Sequence, residues 1–243
     1  MSKTAVITGA SWGIGYETAK LFAINGYNVV IGFNNSKSKA FALETELTQK
    51  GYNAKAITVN VANSVSVNEF IKSAVSAFGH IDVLINNAGI AEQKLFTQIT
   101  DENWHNMINT NLSGVFYCCR AAAKHFINQK SGSIVNVSSM WGETGASMEV
   151  HYSAAKAGVI GLTKALAKEL GPSNIRVNCI TPGVINTKMN EKLDSDTLTA
   201  LSDETPLCRI GKPEEVAKAI YFLANDGDFI TGQILGVNGG IVI

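Results

Sequence analysis

Tyr152 and Lys156 stand four residues apart at the head of YSAAKAGVIGLTKALAKEL, an apolar-periodic stretch that stops at Gly171-Pro172. That spacing places both side chains on one face of a helix, one turn apart. A free phenol titrates at roughly 10, too high to exchange protons readily at neutral pH. A cation one turn away favours the phenolate and lowers that value, which is what a general acid/base needs. Ser139 follows SIVNV, an apolar run that reads as a strand, and a loop folding back from it would set its hydroxyl beside the phenol. A tyrosine and a lysine at this spacing are also a common surface pair, so the rest of the chain has to decide.

The elements that must hold these residues follow from apolar spacing. Strand-like runs at 4–8, 28–33, 54–59 and 81–86 alternate with helical patterns over about 13–25, 37–50 and 65–78. A long helix is expected over about 101–128, its Asp-Glu-Asn start suiting an N-terminus, followed by a strand at 131–137 and then the Tyr152 helix. A strand at 174–180, a helix over about 213–224 opening on Pro213 with two acids, and a strand at 232–237 close the series. Seven short apolar strands separated by helices describe an α/β chain: a parallel sheet with helices on both faces. No repeat, linker or low-complexity segment interrupts it, so one domain is expected over 1–243. The tail GVNGGIVI ends apolar, as if packed into a partner subunit.

Composition narrows the function classes. The chain has 243 residues, 46% of them hydrophobic, and only 4 prolines, enough for a sizeable core. Twenty basic residues balance 20 acidic ones, and no basic run exists, so no nucleic-acid partner is expected. No apolar run reaches the ~18 residues of a membrane span, and MSKTAVITGAS goes straight into a strand, leaving no room for a signal peptide. Cys118, Cys119, Cys179 and Cys208 lack metal-ligand spacing and read as reduced thiols, consistent with a cytoplasmic protein.

A cofactor signal comes first in the chain. Thr8-Gly9-Ala10-Ser11-Trp12-Gly13-Ile14-Gly15 lies between the first strand and the first helix, where an open α/β sheet can hold a pyrophosphate on a helix N-terminus. Its spacing is G-x-x-x-G-x-G, not the commoner G-x-G-x-x-G, and a plain strand-to-helix turn would also use glycines. Asn86-Asn87-Ala88-Gly89 ends the fourth strand, at the edge where ligands lie in such sheets.

Taken together with Ser139 and Tyr152-x-x-x-Lys156, in this order and spacing, these motifs make the chain resemble the short-chain dehydrogenase/reductase family over essentially its whole length. The resemblance implies a single-domain Rossmann fold with a seven-stranded parallel sheet. It implies that Tyr152 is the acid/base, that Lys156 lowers its pKa and holds the nicotinamide ribose, and that Ser139 polarises the carbonyl. Ser139 is preferred to Ser138 because it stands thirteen residues before the tyrosine. Asn111 matches the asparagine that helps carry a proton-relay water. Gly9, Ser11, Gly13, Ile14, Gly15, Asn87, Ala88 and Gly89 would line the dinucleotide, with Asn60 and Val61 at the adenine. Pro182, Gly183, Ile185 and Thr187 would meet the nicotinamide amide, and residues 187–210 would form a substrate lid. Asn60 stands where the family usually has aspartate.

For the cofactor, an NAD enzyme places a carboxylate at the end of strand two. Here Phe33 occupies that place, followed by Asn34, Asn35, Ser36 and Lys37, with Lys39 beyond; these favour NADPH over NADH. Trp12, where NADP members often carry a basic residue, argues the other way.

The C-terminal third, from Thr205, resembles bacterial 3-oxoacyl-acyl-carrier-protein reductases. Those usually carry basic residues flanking the cleft, at positions matched here by Lys130 and Ser173. The loop SSMWGETGASMEVHYSAAKAGVIG is more similar to the elongation factor P 5-aminopentanone reductases, whose aminated substrate Glu143 and Glu149 would suit, although both acids read equally well as solvated loop residues. The expected substrate is therefore a ketone on a carrier or protein, and the expected assembly a homotetramer. A dinucleotide-binding regulator without turnover is the competing class. His151 is expected to be exposed, and Trp12, Trp104 and Trp141 to be packing residues, with Trp141 close enough to shape the cleft.

Overall fold

In the computed structural model, which describes residues 2–187 and 195–243, side chains alternate along each strand into two separate cores. Strand β1 (Thr4–Ile7) sends Ala5 and Ile7 to one face and Val6 to the other. Strands β2 (Asn28–Phe33) and β4 (Val83–Asn86) repeat the alternation, with Val29, Ile31, Val83 and Ile85 on the first face and Val30 and Leu84 on the second. Helices α1 (Gly13–Ile24), α2 (Lys37–Gln49) and α9 (Pro213–Asn225) cover the first face through residues such as Phe22, Leu43 and Ile220. Helices α3 (Ser64–Phe78), α5 (Gly114–Gln129) and α7 (Val150–Leu170) cover the second with Phe70, Phe126 and Val159. Each fully buried phenylalanine contributes about 1.5–3 kcal/mol relative to exposure.

The seven strands are all parallel, in the order β3-β2-β1-β4-β5-β6-β7, where β3 is Ala54–Thr58, β5 Gly132–Val137, β6 Ile175–Pro182 and β7 Ile234–Val237. The chain winds outward from β1 in one direction and from β4 in the other. The loops leaving the carboxyl ends of these two neighbours therefore part to opposite faces and open a crevice.

Several boundaries depart from the sequence reading, among them β6, which runs on to Pro182, and β7, which begins at Ile234. The helix expected over 101–128 is instead α4 (Asp101–Ile108), a π-helical turn at Asn109–Ser113, and then α5. Strand β4 begins at Val83, not at 81; just before it Asp82 is tied to β1, its carboxylate accepting the Thr4 N–H at 2.7 Å and its own N–H donating to Thr4 O at 2.9 Å. Within the expected lid, residues 188–194 lie outside the described residues, and Ser195–Glu204 forms α8. Cys118, Cys119 and Cys179 are buried, Cys208 is exposed, and none is disulfide-bonded among the described residues. No helix among the described residues is long and apolar enough to cross a membrane.

Candidate active site

One cavity of about 570 Å³ opens at the carboxyl ends of the central strands. It gathers nearly every residue singled out above: Gly9, Ser11, Gly13 and Ile14 from the first turn, Asn34, Asn35 and Ser36 after β2, and Asn60 and Val61 after β3. Asn87, Ala88 and Gly89 after β4, Ser139, Tyr152 and Lys156, and Pro182, Gly183, Ile185 and Thr187 after β6 complete the lining.

Gly15 and Asn111 do not line it. Gly15 lies beneath, where a Cβ would collide with the Gly9 carbonyl, Asn87 and Ala10. Asn111 is fully buried in the π turn, where its amide both accepts from Ile90 N–H at 2.9 Å and donates to Ile90 O at 2.8 Å. Sequence reasoning missed Val59, Ala62, Ile90, Asn106, Thr110, Val137 and Ser138 as lining residues; Phe33 and Trp12, which it weighed for cofactor choice, line the cavity as well. For Asn106 and Thr110 the missing signal was the π turn itself.

The phosphate end is built from absences. Trp12 stands at the N-cap of α1 but supplies no capping hydrogen bond, so the first-turn N–H groups stay open to an anion. Gly9 has φ 66, and a Cβ there would come within 2.8 Å of Ala88 Cα. Asn87 ties the two loops together, its Nδ2 donating to Thr8 O at 3.1 Å and Gly9 O at 3.0 Å. The residues present thus fit a dinucleotide: an open helix N-terminus, a backbone cradle, and amides after β2.

At the other end the phenol and the lysine are both buried. The sequence reading expected Lys156 to lower the Tyr152 pKa, but the phenol is instead pushed up to about 12. Burial is the first cause; a hydrogen bond with Ser139 works against it, and the Glu149 charge adds to it. The Lys156 Nζ is engaged elsewhere, donating to Val137 O at 2.9 Å and lying 5.6 Å from the centre of the Tyr152 ring. Burial also lowers Lys156, to about 8. Ser138 Oγ donates to Lys156 O at 2.8 Å, clamping α7 to the end of β5, while Ser139 Oγ accepts the Trp141 N–H at 3.2 Å. Trp141 packs against Met107, Tyr152 and Ala155 just behind the cavity.

Three expectations around the mouth need correcting or refining. His151 is fully buried, not exposed, because its direction off the helix faces the loop after β4, where Nε2 lies 3.3 Å from the Glu92 carboxylate. Lys130 and Ser173, expected to flank the cleft, precede β5 and β6 at the amino end of the sheet. Strands of six and eight residues at ~3.3 Å each separate them from the cavity by about 20 and about 26 Å within this chain. Glu143 is exposed on the short helix α6 (Trp141–Thr144), whereas Glu149 is half-buried beside Gln93, with burial raising its carboxyl above the usual range; neither lines the cavity.

The likenesses to known proteins agree with this geometry. A family model described as enoyl-(acyl carrier protein) reductase matches residues 9–242. The 3-oxoacyl-(acyl-carrier-protein) reductase of Chlamydia trachomatis is 43% identical over 242 residues, 99% of this chain and 98% of that protein. Its counterpart in Staphylococcus aureus is also 43% identical over 242 residues, with the same coverage. A gluconate 5-dehydrogenase from Burkholderia cenocepacia, solved in complex with NADP and tartrate, superposes with a TM-score of 0.94 at 33% identity, covering 99% of this chain and 96% of that one. With its sheet order, its glycine cradle and its full-length relatives in accord, the chain belongs to the short-chain dehydrogenase/reductase family of oxidoreductases.

Proposed function

We propose that this chain reduces a ketone to a secondary alcohol by hydride transfer from NADPH, and that the ketone is a 3-oxoacyl group carried as a thioester on an acyl carrier protein. The observation that carries the proposal is the convergence of Ser139, Tyr152 and Lys156 at one end of the cavity whose other end is the anion cradle. Bound there, NADPH supplies the hydride to the carbonyl carbon. Ser139 and Tyr152 can both reach a single acceptor, which suits an oxygen and so favours a ketone over a carbon–carbon double bond. With its pKa held at about 12, Tyr152 stays protonated at neutral pH and donates its proton to the oxygen as negative charge develops there. Ser139, whose oxygen already accepts from Trp141, turns its own proton toward the same atom. Lys156, itself buried, adds positive charge where solvent screens it weakly. Asn111 joins this set by fixing Ile90 and by opening the π turn beside which a relay water would sit. Asn34, Asn35 and Ser36, with no acid among them, favour a 2′-phosphate.

A second substrate reading, the aminated ketone of an elongation factor P 5-aminopentanone reductase, has one observation in its favour. The Glu149 charge is felt at Tyr152, while the one basic residue of the expected pair, Lys130, sits at the far end of the sheet. A cationic substrate gains roughly 1–4 kcal/mol from a carboxylate a few Å away at intermediate dielectric. A regulator without turnover would have no need of the Ser139–Tyr152–Lys156 convergence. The test compares acetoacetyl thioester with an aminoketone-modified elongation factor at equal enzyme and NADPH. Orders-of-magnitude faster thioester reduction, untouched by Glu149→Gln, establishes the acyl-carrier reading. The reverse preference, lost in Glu149→Gln, replaces it with the aminoketone.

A further inference from the structure

Tyr152 is the third residue of α7, in a first turn that no side chain caps. Open helix ends fray unless something holds them. The approach to this turn is also strained, since Met148 has φ 62, a left-handed conformation that a side chain rarely adopts. Three consecutive residues of the loop after β4 grip the turn from outside. Lys94 N–H donates to Met148 O at 2.7 Å, and Gln93 Nε2 donates to the Glu149 carboxylate at 3.4 Å. The Glu92 carboxylate lies 3.3 Å from His151 Nε2. His151 is fully buried, and its Nδ1 has no hydrogen-bond partner among the described residues. An unpaired buried polar atom costs about 1–3 kcal/mol, so Glu92 is the contact that makes an imidazole worth keeping here. Glu92 is itself held by Asn103 Nδ2 at 3.4 Å, and Asn103 accepts from Lys94 Nζ at 2.7 Å.

We propose that the His151–Glu92 contact anchors this uncapped turn from outside, so that His151 is a positioning residue which fixes the first turn of α7, and Tyr152 with it, against the loop after β4. That loop begins with the cavity-lining Asn87-Ala88-Gly89. Whatever orders its start also steadies the phenol, and the coupling runs equally in reverse. The kinetic consequence rests on the reading of Tyr152 as proton donor; the mechanical claim does not.

Glu92→Ala, at a half-exposed carboxylate, removes the acceptor without risk to the core, and His151→Gln supplies the partner variant. Amide hydrogen exchange is read at Lys94 and Ser153, whose N–H groups close the clasp and the first turn. Both variants should exchange about tenfold faster there while global unfolding midpoints change little. The kcat for a fixed ketone should fall several-fold with KM changed less than about twofold, and the double variant should be no worse than either single one. Unchanged exchange in folded Glu92→Ala overturns the inference, as do losses that add in the double variant. Should the wild type reduce no ketone, the reductase reading fails while the exchange measurement still decides this one.

Discussion

Lys156 shows what burial does to a single residue in this site. Its ammonium is enclosed, and its pKa falls from 10.5 to about 8. Between those values the unfolded chain binds the proton and the folded chain does not, so stability rises with pH across that window. Below about 8 both forms carry the proton, and the folded state bears the full cost of enclosing a charge. Lys156→Met should therefore stabilise the fold at pH 7, by on the order of 1–3 kcal/mol, and raise the unfolding midpoint accordingly, while removing reductase activity. The gain over wild type should shrink as pH climbs toward 10, in paired thermal melts; a variant less stable than wild type at pH 7 would contradict it. The identities and spacing of Tyr152, Lys156 and Ser139 were legible in the sequence because helical periodicity puts i and i+4 on one face. Their electrostatics were not. Burial, which raises the phenol and lowers the lysine, depends on how α7 packs on β5 and β6, and local spacing says nothing about it. His151 was misjudged for the same reason: the helix could be read, but not the loop that meets its other side.

At the scale of elements, the strand-end loops choose the cofactor. Phe33 ends β2 almost fully buried, its ring 5.8 Å from that of Phe41, so a carboxylate placed there would also disturb packing. Asn34, the next residue, lines the cavity and is the better position to test. Asn34→Asp should weaken NADPH binding by about tenfold or more through repulsion of the 2′-phosphate while sparing NADH. Fluorescence titration of both cofactors checks this, and equal losses for the two would remove Asn34 from the phosphate contact. Strands and most helix ends were readable from alternation, caps and Pro213. The π turn was not, because Asn109–Ser113 carries no proline or glycine that would break a helical pattern. What opens that turn is tertiary: Asn111 bonds to Ile90 on a different loop.

For the whole molecule, the fold class followed from seven apolar runs alternating with helices, but which end of the sheet a position occupies did not. Lys130 and Ser173 needed the strand directions before their distance from the cavity was visible. Exposed Trp104 and Phe116 on α4 and α5, with Leu235 and Ile243 near the chain end, leave apolar surface that self-association would cover. A homotetramer is the expected assembly, closed by isologous contacts, and a stable, active monomer in sedimentation at micromolar concentration would rule it out. In the proposed reaction one phenol, that of Tyr152, protonates the ketone oxygen. The most direct measurement is ketone-dependent NADPH oxidation by Tyr152→Phe, which keeps the ring and its packing and removes only the hydroxyl. With NADPH affinity preserved, kcat should fall by about 10²–10⁴. Near-normal turnover in that variant would remove the phenol as proton donor.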